Sequence, residues 1–427
     1  MSGGSQRIFY GWWIVAGAFV VIFVGFGAFY TFPVFYPEFM RQFGWSRTQI
    51  SVSGALALLV TGLVSPFVGG LADRRGTRFT MIAGTIAVAL AMIAMSQMQR
   101  LYQLYAIALV FGLGLAGFSI AISQMLVARW FIKRRGLATG LVISGMGLGG
   151  TVGPLVVTPL LTQHGWRAAF VWEAAFLLLI SLPLAVWVLR ERPSDLGLTP
   201  DGHPPHPPAP AAERQRIDAQ TIGLSFPEAG RTAAFWFLSL STFCAMFASL
   251  SVIQHLVLYM RGLEFELASA SRTLSALLLA SVVGRVGLGH LSDRLMRRHT
   301  LLLSYGLLTV GALLLLVVQS QRGLLAMAVL VGLGYGGSIV LLTLSAAELF
   351  GTQALGKILG VMLIFFTAGG SLGPVTVGYL ADRFNDYGTV FIVVAVAAIA
   401  AVVIGLGVRP LGAVKKSRTV VQSAPHS

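Results

Sequence analysis

The sequence is poor in charged residues and nearly lacks cysteine. Only 11% of its 427 residues are Asp, Glu, Lys or Arg, whereas a soluble globular protein carries about 25%. The hydrophobic share is 56%, above the soluble average of about 45–50%. The single cysteine, Cys244, excludes an intrachain disulfide. These shortages exclude a large soluble enzyme and a disordered chain, and they predict a polytopic membrane protein.

Motifs of enzyme chemistry are also missing from the sequence. It contains no Walker-type loop, no metal-ligand cluster and no nucleophile–base spacing. We therefore expect neither enzyme activity nor ATP-driven pumping, and no cofactor or bound metal. The sequence also shows no sign of an obligate protein partner.

Twelve hydrophobic stretches are each long enough to cross a bilayer core, which takes about 20 apolar residues. Each must be helical, because lipid offers no partners for unpaired backbone groups. The predicted fold is an all-α membrane protein with twelve transmembrane helices. In chain order the spans cover residues 11–37, 50–72, 79–99, 101–128, 136–163, 168–189, 232–260, 273–291, 300–321, 323–347, 358–381 and 387–408.

The spacing of the spans predicts two six-helix halves, residues 1–189 and 232–408, followed by a tail, residues 409–427. Between the halves lies a proline-rich linker, residues 190–231. Its tract 203–210 favours an extended conformation over a packed core. Histidines 203 and 206 could bind a metal, but a mobile proline tract is a poor ligand scaffold, so a flexible linker is favoured.

The net charge of +15 reports orientation in the membrane. Lys and Arg are concentrated in the alternate loops on one side of the predicted spans, together with the linker and the tail. The positive-inside rule places that side, and both termini, in the cytoplasm. We therefore expect a multi-pass protein of the plasma membrane (the inner membrane of a bacterium), with the lipid bilayer rather than nucleic acid as the partner of the basic residues.

The two halves repeat each other at one fixed offset along the chain. Residues 69–74 match 289–294, residues 112–114 match 332–334, and residues 149–154 match 369–374. The shared positions are glycines, which allow helices to approach closely, and prolines, which bend them. A duplicated six-helix unit of this kind encloses a central site near the middle of the bilayer.

The loop after the second span carries a recognisable motif, Gly69 followed by Asp73-Arg74, Gly76 and Arg78, with a weaker copy from Gly289 to Arg294. In this motif and in its duplicated halves the chain resembles the major facilitator superfamily. The resemblance implies two pseudo-symmetric halves in the major facilitator fold. It also implies a cytoplasmic latch between them, formed by Asp73, Arg74, Arg78, Asp293 and Arg294.

Two further segments, residues 9–13 (Phe-Tyr-Gly-Trp-Trp) and residues 129–140 (Arg-Trp-Phe-Ile-Lys-Arg-Arg-Gly-Leu-Ala-Thr-Gly), resemble signatures of the monocarboxylate transporter family. Related bacterial oxalate/formate exchangers share much of this pattern. The narrower resemblance implies a small carboxylate as substrate.

Arg285 is the only cation inside the twelve spans. An arginine near mid-membrane costs at least about 2.5–3.5 kcal/mol, and the repeat has Ser65 at the matching position, so the duplicated fold does not require a cation there. The only acid in the spans, Glu173, lies near the outer end of the sixth span and is poorly placed to pair with it. We therefore expect Arg285 to bind an anion. The monocarboxylate transporters have an arginine at this point that holds the substrate carboxylate, which implies the same role here.

The other polar candidates lie in the first, fourth, seventh and tenth spans, which line the cavity in this superfamily. His255 lies on one helix face with Ser251 and Tyr259 and is the proton-coupling candidate, with a neutral packing role as the alternative. The predicted substrate-binding set is completed by Tyr30, Ser119, Ser123, Gln124, Tyr335 and Ser338.

Two departures from the relatives narrow the hypothesis. The lysine and the aspartate that animal monocarboxylate transporters carry in their first and eighth spans are replaced by Val34 and Ser281, so that proton relay cannot be carried over. The eleventh span also lacks the second cation of the dicarboxylate exchangers, and one cation suits a monoanion. We predict a proton-coupled secondary transporter of lactate- or pyruvate-like monocarboxylates that works by alternating access. The alternatives are an organic-anion or drug transporter of the same fold and a non-transporting membrane sensor.

Overall fold

A computed structural model of the protein describes residues 9–202, 223–351 and 353–409. The proline-rich tract 203–210 and most of the predicted tail lie outside the described residues. The long apolar runs of the first half form helices because only a helix satisfies its own backbone in lipid. These helices are α1 (Gly11–Phe43), α2 (Arg47–Arg75), α3 (Thr77–Ser96), α4 (Leu101–Gly117), α5 (Ile120–Trp130) and α6 (Arg135–Phe176).

After α6 the chain continues through two π-helical turns, Leu177–Ser181 and Leu184–Val188, and two short 3-10 turns, Pro193–Leu196 and Pro200–Gly202. The second half begins with a short helix, α7 (Phe226–Gly230). Six long helices follow: α8 (Ala233–Gly262), α9 (Leu267–Arg294), α10 (Arg297–Leu314), α11 (Gln321–Phe350), α12 (Leu355–Phe384) and α13 (Tyr387–Gly405).

Within the described part of the chain, 10 helical stretches are long and apolar enough to cross a membrane. One of them runs from Arg135 to Val188 and changes direction at Gly165 (φ 80°, ψ 165°), so it supplies two spans. α10, an 18-residue helix, covers most of the predicted ninth span. The described helices agree with the twelve predicted spans. Large apolar side chains such as Leu179 (76% exposed) and Val317 (77% exposed) suit a surrounding of lipid.

The chain divides into two compact units. The first comprises residues 1–45 and 56–207, and the second comprises residues 46–55 and 208–427. Within the first unit α1 packs along α6, and α3 packs on α4 and α6. Within the second unit α9 packs on α11, α8 on α12, and α10 on α11.

The sequence repeat is also a repeat of helix contacts. A Cβ atom on Gly149 would collide with the carbonyl oxygen of Phe23, and a Cβ on the matching Gly369 would collide with that of Phe243. Further contacts related by the same offset are Gly112 on Ala57 and Gly332 on Leu277, and Gly114 on Gly84 and Gly334 on Ser304. Each unit is therefore held by the same glycine seams, which let two helix backbones touch.

Asp386 caps the last helix, and its removal should lower stability measurably. Its carboxylate accepts the backbone N–H groups of Gly388 (2.9 Å) and Thr389 (2.8 Å), and the N–H of Thr389 is the largest cause that lowers the pKa of Asp386 below its ordinary value. We expect Asp386→Ala to cost about 1 kcal/mol, as other N-cap losses do, in thermal unfolding of the detergent-solubilised protein.

The pH dependence of this cap follows from the lowered pKa. The contribution is complete above the unfolded value of about 3.9 and is lost as the pH falls through the lower folded value. Asp386→Asn keeps an equally good cap and serves as the control. An alanine variant that melts with the wild type at neutral pH would contradict the capping role.

Candidate functional site

Arg285 lies in α9 with its guanidinium enclosed and without a partner among the described residues. The residue is only 7% exposed. Its Nε, Nη1 and Nη2 atoms are buried, and none of them has a hydrogen-bond partner in the described part of the chain. A buried charge without a partner is costly. A guanidinium offers five N–H donors in a planar fork that matches a carboxylate, so this group is arranged to receive an anion.

The backbone around Arg285 is positioned by the crossing of α9 and α11. Gly284 packs on the backbone of Leu333, and Gly336 packs on the carbonyl group of Ser281, one turn before Arg285. The predicted ligand Tyr335 is adjacent to this contact and is 3% exposed. The structure therefore places Arg285 and Tyr335 on two helices that cross at the same level.

Ser338, a second predicted ligand on α11, is directed toward α10. Its hydroxyl donates to the carbonyl of Gly334 (2.7 Å) and lies 3.1 Å from Ser304 Oγ. Both hydroxyl groups are buried in the contact between the two helices. Substrate binding by Ser338 stays a prediction, and the contacts it makes in the structure hold helices together.

His255 in α8 is fully enclosed, and both of its ring nitrogens have partners. Nε2 lies 2.8 Å from the carbonyl oxygen of Pro374 and 3.2 Å from Ser51 Oγ, while Nδ1 lies 3.1 Å from Tyr387 Oη. Because a carbonyl only accepts, Nε2 carries a hydrogen, and in the neutral ring Nδ1 accepts from Tyr387. This is the arrangement of a neutral packing histidine, one of the two predicted roles. Its role in proton coupling stays a prediction.

The fourth predicted span consists of two helices, and the sequence did not predict the break between them. α4 ends at Gly117, and Ser119 is the N-cap residue of α5. The first turn of a helix leaves backbone N–H groups without intrahelical partners, so α5 brings such donors into the interior of a membrane span. Discontinuous helices of this kind form substrate sites in transporters. A signal was present in the glycines 112, 114 and 117 before Phe118-Ser119.

The predicted ligands of the first unit lie at this break, on α5 and on α1. The buried hydroxyl oxygen of Ser119 has no hydrogen-bond partner among the residues described here. Ser123 is 1% exposed and donates to the carbonyl of Ser119 (3.0 Å). Gln124 is exposed, and Tyr30 is 3% exposed. A joint site with Arg285 stays a prediction.

The predicted latch residues lie at helix ends. Four of them are exposed in the last turns of α2 and α9, namely Asp73, Arg74, Asp293 and Arg294. Exposure at a helix end is compatible with a switchable contact and with a purely topological charge. The latch stays a prediction.

Glu191 anchors the start of α3 and was not singled out from the sequence. Its carboxylate accepts the backbone N–H groups of Thr77 (3.0 Å) and Arg78 (3.0 Å), and it pairs with Arg129. The guanidinium of Arg78, a predicted latch residue, donates to the carbonyl of Val186. A carboxylate at a helix N-terminus is favoured by the helix dipole. The signal was an acid between two arginines just after a membrane span.

Asp382 anchors the start of α2 in the same way within the second unit. It accepts the backbone N–H groups of Arg47 (2.9 Å) and Thr48 (2.8 Å) and the hydroxyl of Thr48 (2.6 Å). The sequence reading missed it, although residues 378–383 repeat the Gly-x-x-x-Asp-Arg spacing of the latch motif.

Glu173 lies in the part of α6 that follows the bend at Gly165, and it is 6% exposed. Its Oε1 atom lies 2.7 Å from Thr31 Oγ1, whereas Oε2 is buried and has no hydrogen-bond partner among the described residues. The carboxyl lines a cavity of about 230 Å³ between α1 and α6 whose other lining side chains are apolar. Like Arg285, this carboxyl is an ionisable group of the membrane spans with no ion-pair partner in the described part of the chain.

Comparison with known proteins agrees with this architecture. The model of the Major Facilitator Superfamily matches residues 17–321 and 265–424, which is most of the chain. Monocarboxylate transporter 13 of Bos taurus is 28% identical over 389 residues, covering 90% of this chain and 86% of the relative. The membrane sensor protein UhpC of Salmonella typhimurium is 28% identical over 399 residues, covering 89% of this chain and 88% of the relative.

A solved structure shows the same fold. A bacterial homologue of the human lysosomal transporter Spinster, crystallised in an inward-facing and unoccupied conformation, superposes with a TM-score of 0.70 at 16% identity and covers 95% of both chains. Such low identity carries the fold alone. Together with the repeated glycine seams and the family match over most of its length, it establishes that the chain is a multi-pass membrane protein and belongs to the major facilitator superfamily.

Proposed function

We propose that this protein is a secondary transporter of small monocarboxylates, such as lactate or pyruvate, and that Arg285 binds the substrate carboxylate. The observation that carries the proposal is the enclosed guanidinium of Arg285, whose three nitrogens have no partner among the described residues. A carboxylate would supply two acceptors in the geometry that the guanidinium fork requires. The bovine relative named for monocarboxylate transport supports the same class of substrate.

Charge balance favours a monoanion over a dianion. One carboxylate on Arg285 leaves the pair neutral, so the two halves can move around it without a net charge near the middle of the bilayer. A second carboxylate would need a second cation, and the described helices contain no other Lys or Arg inside the predicted spans. Tyr335, beside the α9–α11 crossing, would contribute a hydroxyl to the site in alternating access.

Proton coupling and orientation belong to the same proposal. We place both termini in the cytoplasm and the protein in a bacterial inner membrane because of the asymmetric distribution of Lys and Arg. A substrate anion that moves with one proton is carried without net charge. His255 is the coupling candidate from the sequence, and Asp73, Arg74, Arg78, Asp293 and Arg294 form the proposed latch.

Uptake of labelled lactate into proteoliposomes tests the transport function. With an imposed inward proton gradient we expect lactate to accumulate transiently inside the vesicles. For a one-proton symporter the internal concentration should exceed the external one by up to about tenfold per pH unit. Protein-free liposomes treated in the same way are the control, because undissociated acid crosses lipid unaided. Uptake that equals this control at every gradient would remove the transport proposal, and uptake without any gradient dependence would remove the symport.

Two other functions remain as alternatives. A transporter of larger organic anions or drugs would be inhibited by bulky aromatic acids far better than by lactate in a competition panel. The second alternative, a membrane sensor, is supported by the similarity to the sensor protein UhpC. A sensor would bind a carboxylate without transporting it. Ligand-dependent thermal stabilisation without uptake is the result expected for a sensor.

A further inference from the structure

Glu173, like Arg285, has no ionisable residue at the matching position of the other half. The repeat holds through this region, because Gly165 (φ 80°) and the matching Asn385 (φ 49°) both take the left-handed conformation before the last helix of their half. The position that matches Glu173 is Val393. The duplicated fold therefore packs without an acid here, which excludes a simple packing requirement for the carboxyl.

Thr31, the hydrogen-bond partner of Glu173, in contrast has a hydroxyl residue at the matching position of the other half. Thr31 matches Ser251, and both side chains pack against glycines of the matching seam, Gly153 and Gly373. Ser251 donates to the carbonyl of Phe247, four residues earlier on its own helix. A hydroxyl that bonds its own helix is thus the shared feature, and the carboxyl that contacts it is specific to the first half.

The hydrogens around Thr31 show which form of Glu173 the geometry fits. Thr31 Oγ1 lies 2.8 Å from the carbonyl oxygen of Ala28 and 2.7 Å from Glu173 Oε1. A hydroxyl has only one hydrogen to donate. As two separate hydrogen bonds, these contacts require that Thr31 donates to Ala28 and that Glu173 itself, as a carboxylic acid, donates to Thr31.

The described surroundings of Glu173 contain no counter-charge. Thr31 is the side chain that hydrogen-bonds it, and no ion pair of Glu173 occurs among the described residues. Three helices pack against α6, namely α1, α3 and α5. Their ionisable side chains and those of α6 itself are Tyr30, Tyr36, Glu38 and Arg41 on α1, Arg78 on α3, Arg129 on α5, and Arg135, His164 and Arg167 on α6. The charged ones lie at helix ends, where Arg41 pairs with Glu38, Arg129 pairs with Glu191 and Arg167 stacks on Trp166.

Loss of the proton would change the hydrogen bonds of α1. An ionised Glu173 would take the hydrogen of Thr31, and the carbonyl of Ala28 would lose its side-chain donor. This turn of α1 already contains Pro33, whose missing N–H leaves the carbonyl of Phe29 without a helical partner. The apolar cavity that Glu173 lines, together with Val24, Val156 and Phe176 among others, offers no replacement donor. Ionisation therefore requires a conformation in which water reaches the carboxyl.

We infer that Glu173, held by Thr31 beside this cavity, is the site that binds and releases the proton moved with the carboxylate. The inference rests on the proposed transport function. One proton binds Oε1 of the ionised carboxylate from water on one side, stays there while the halves change conformation, and returns to water on the other side. No other bond changes. Under this inference His255, whose two ring nitrogens both have partners, takes the packing role that the sequence offered as its alternative.

Infrared difference spectroscopy tests the protonation of Glu173 without any substrate. At neutral pH we expect wild-type protein to show the carbonyl stretching band of a protonated carboxyl that is absent from Glu173→Gln, and Thr31→Val to shift this band while Thr31→Ser keeps it. Glu38→Gln, which also removes a carboxyl from this unit, should retain the band. Identical spectra for the wild type and Glu173→Gln would overturn the inference.

Transport assays test the coupling. Glutamine is isosteric and donates to Thr31 as the acid does, so Glu173→Gln should exchange internal for external lactate but lose accumulation driven by a pH gradient. The control Glu38→Gln should still accumulate lactate. Gradient-driven accumulation that persists in Glu173→Gln would defeat the inference alone. A wild type that transports no lactate would defeat the proposed function and leave the infrared result to decide the protonation.

Discussion

Replacing Arg285 with glutamine is expected to lower the rate of lactate uptake by about 30-fold to several thousand-fold. Removing one member of a buried, hydrogen-bonded charge pair costs about 2–5 kcal/mol, and each 1.4 kcal/mol is about a factor of ten. The uptake rate of Arg285→Lys should lie between those of the wild type and Arg285→Gln, because a lysine keeps the charge but not the planar fork that binds both carboxylate oxygens. Initial rates in proteoliposomes measure the effect.

The empty Arg285→Gln protein should be at least as stable as the wild type. The guanidinium has no hydrogen-bond partner to lose among the described residues, and the cost of an unpaired buried charge disappears. Thermal unfolding without substrate should therefore show an equal or higher midpoint, and added lactate should no longer raise it.

Arg272→Gln is the matched control for the loss of one positive charge, since Arg272 is exposed near the start of the same helix. It should transport at close to the wild-type rate. If Arg285→Gln also did so, the carboxylate would bind elsewhere. If instead the empty variant unfolded much earlier than the wild type, Arg285 would be part of a structural ion pair.

Gly336→Ala should destabilise the protein and disturb the site through the packing of α9. A Cβ at this position collides with the carbonyl group of Ser281, and a backbone group cannot rotate away as a side chain can. The two helices must separate, which costs about 1–3 kcal/mol and occasionally more. Because Ser281 lies one turn before Arg285, we expect a lower melting midpoint together with weaker lactate binding.

Gly287→Ala on α9 provides the comparison for this change. No atom lies within 4 Å of the Cβ it would add, so the same substitution should raise stability by up to about 1 kcal/mol, as the loss of a helical glycine generally does. Equal melting midpoints for Gly336→Ala and Gly287→Ala would show that the α9–α11 contact is looser than the structure indicates.

Much of the fold could be predicted from the order of residues. Apolar runs of sufficient length must become helices in lipid. The fixed offset between the halves predicted close helix approach at the shared glycines, and the structure places Gly149 and Gly369 against Phe23 and Phe243. The same offset identified Arg285 as an exception, because Ser65 occupies its place in the other half. The interruption between α4 and α5 was not predicted, since hydropathy averages over a span and does not register one turn of lost hydrogen bonds.

The sequence predicted which residues of the candidate site are charged, and the structure showed which of them have partners. A charged residue in an apolar run is visible at once, so Arg285 and Glu173 both stood out. Whether such a group has partners depends on side chains far away in the chain, as with Thr31 and Glu173, which are 142 residues apart. The helical spacing that grouped His255 with Ser251 and Tyr259 gave no sign that Pro374 and Tyr387 would occupy its two nitrogens.

The sequence by itself determined the membrane class, the twelve helices, the duplicated halves and the two charged residues inside the spans, Arg285 and Glu173. Those properties follow from composition and spacing, which act locally along the chain. Only the tertiary structure decided that Arg285 is enclosed with no partner among the described residues, that both nitrogens of His255 have partners, and that Thr31 Oγ1 lies within hydrogen-bond distance of two oxygens. The physical reason is that hydrogen-bond satisfaction depends on neighbours brought together by packing.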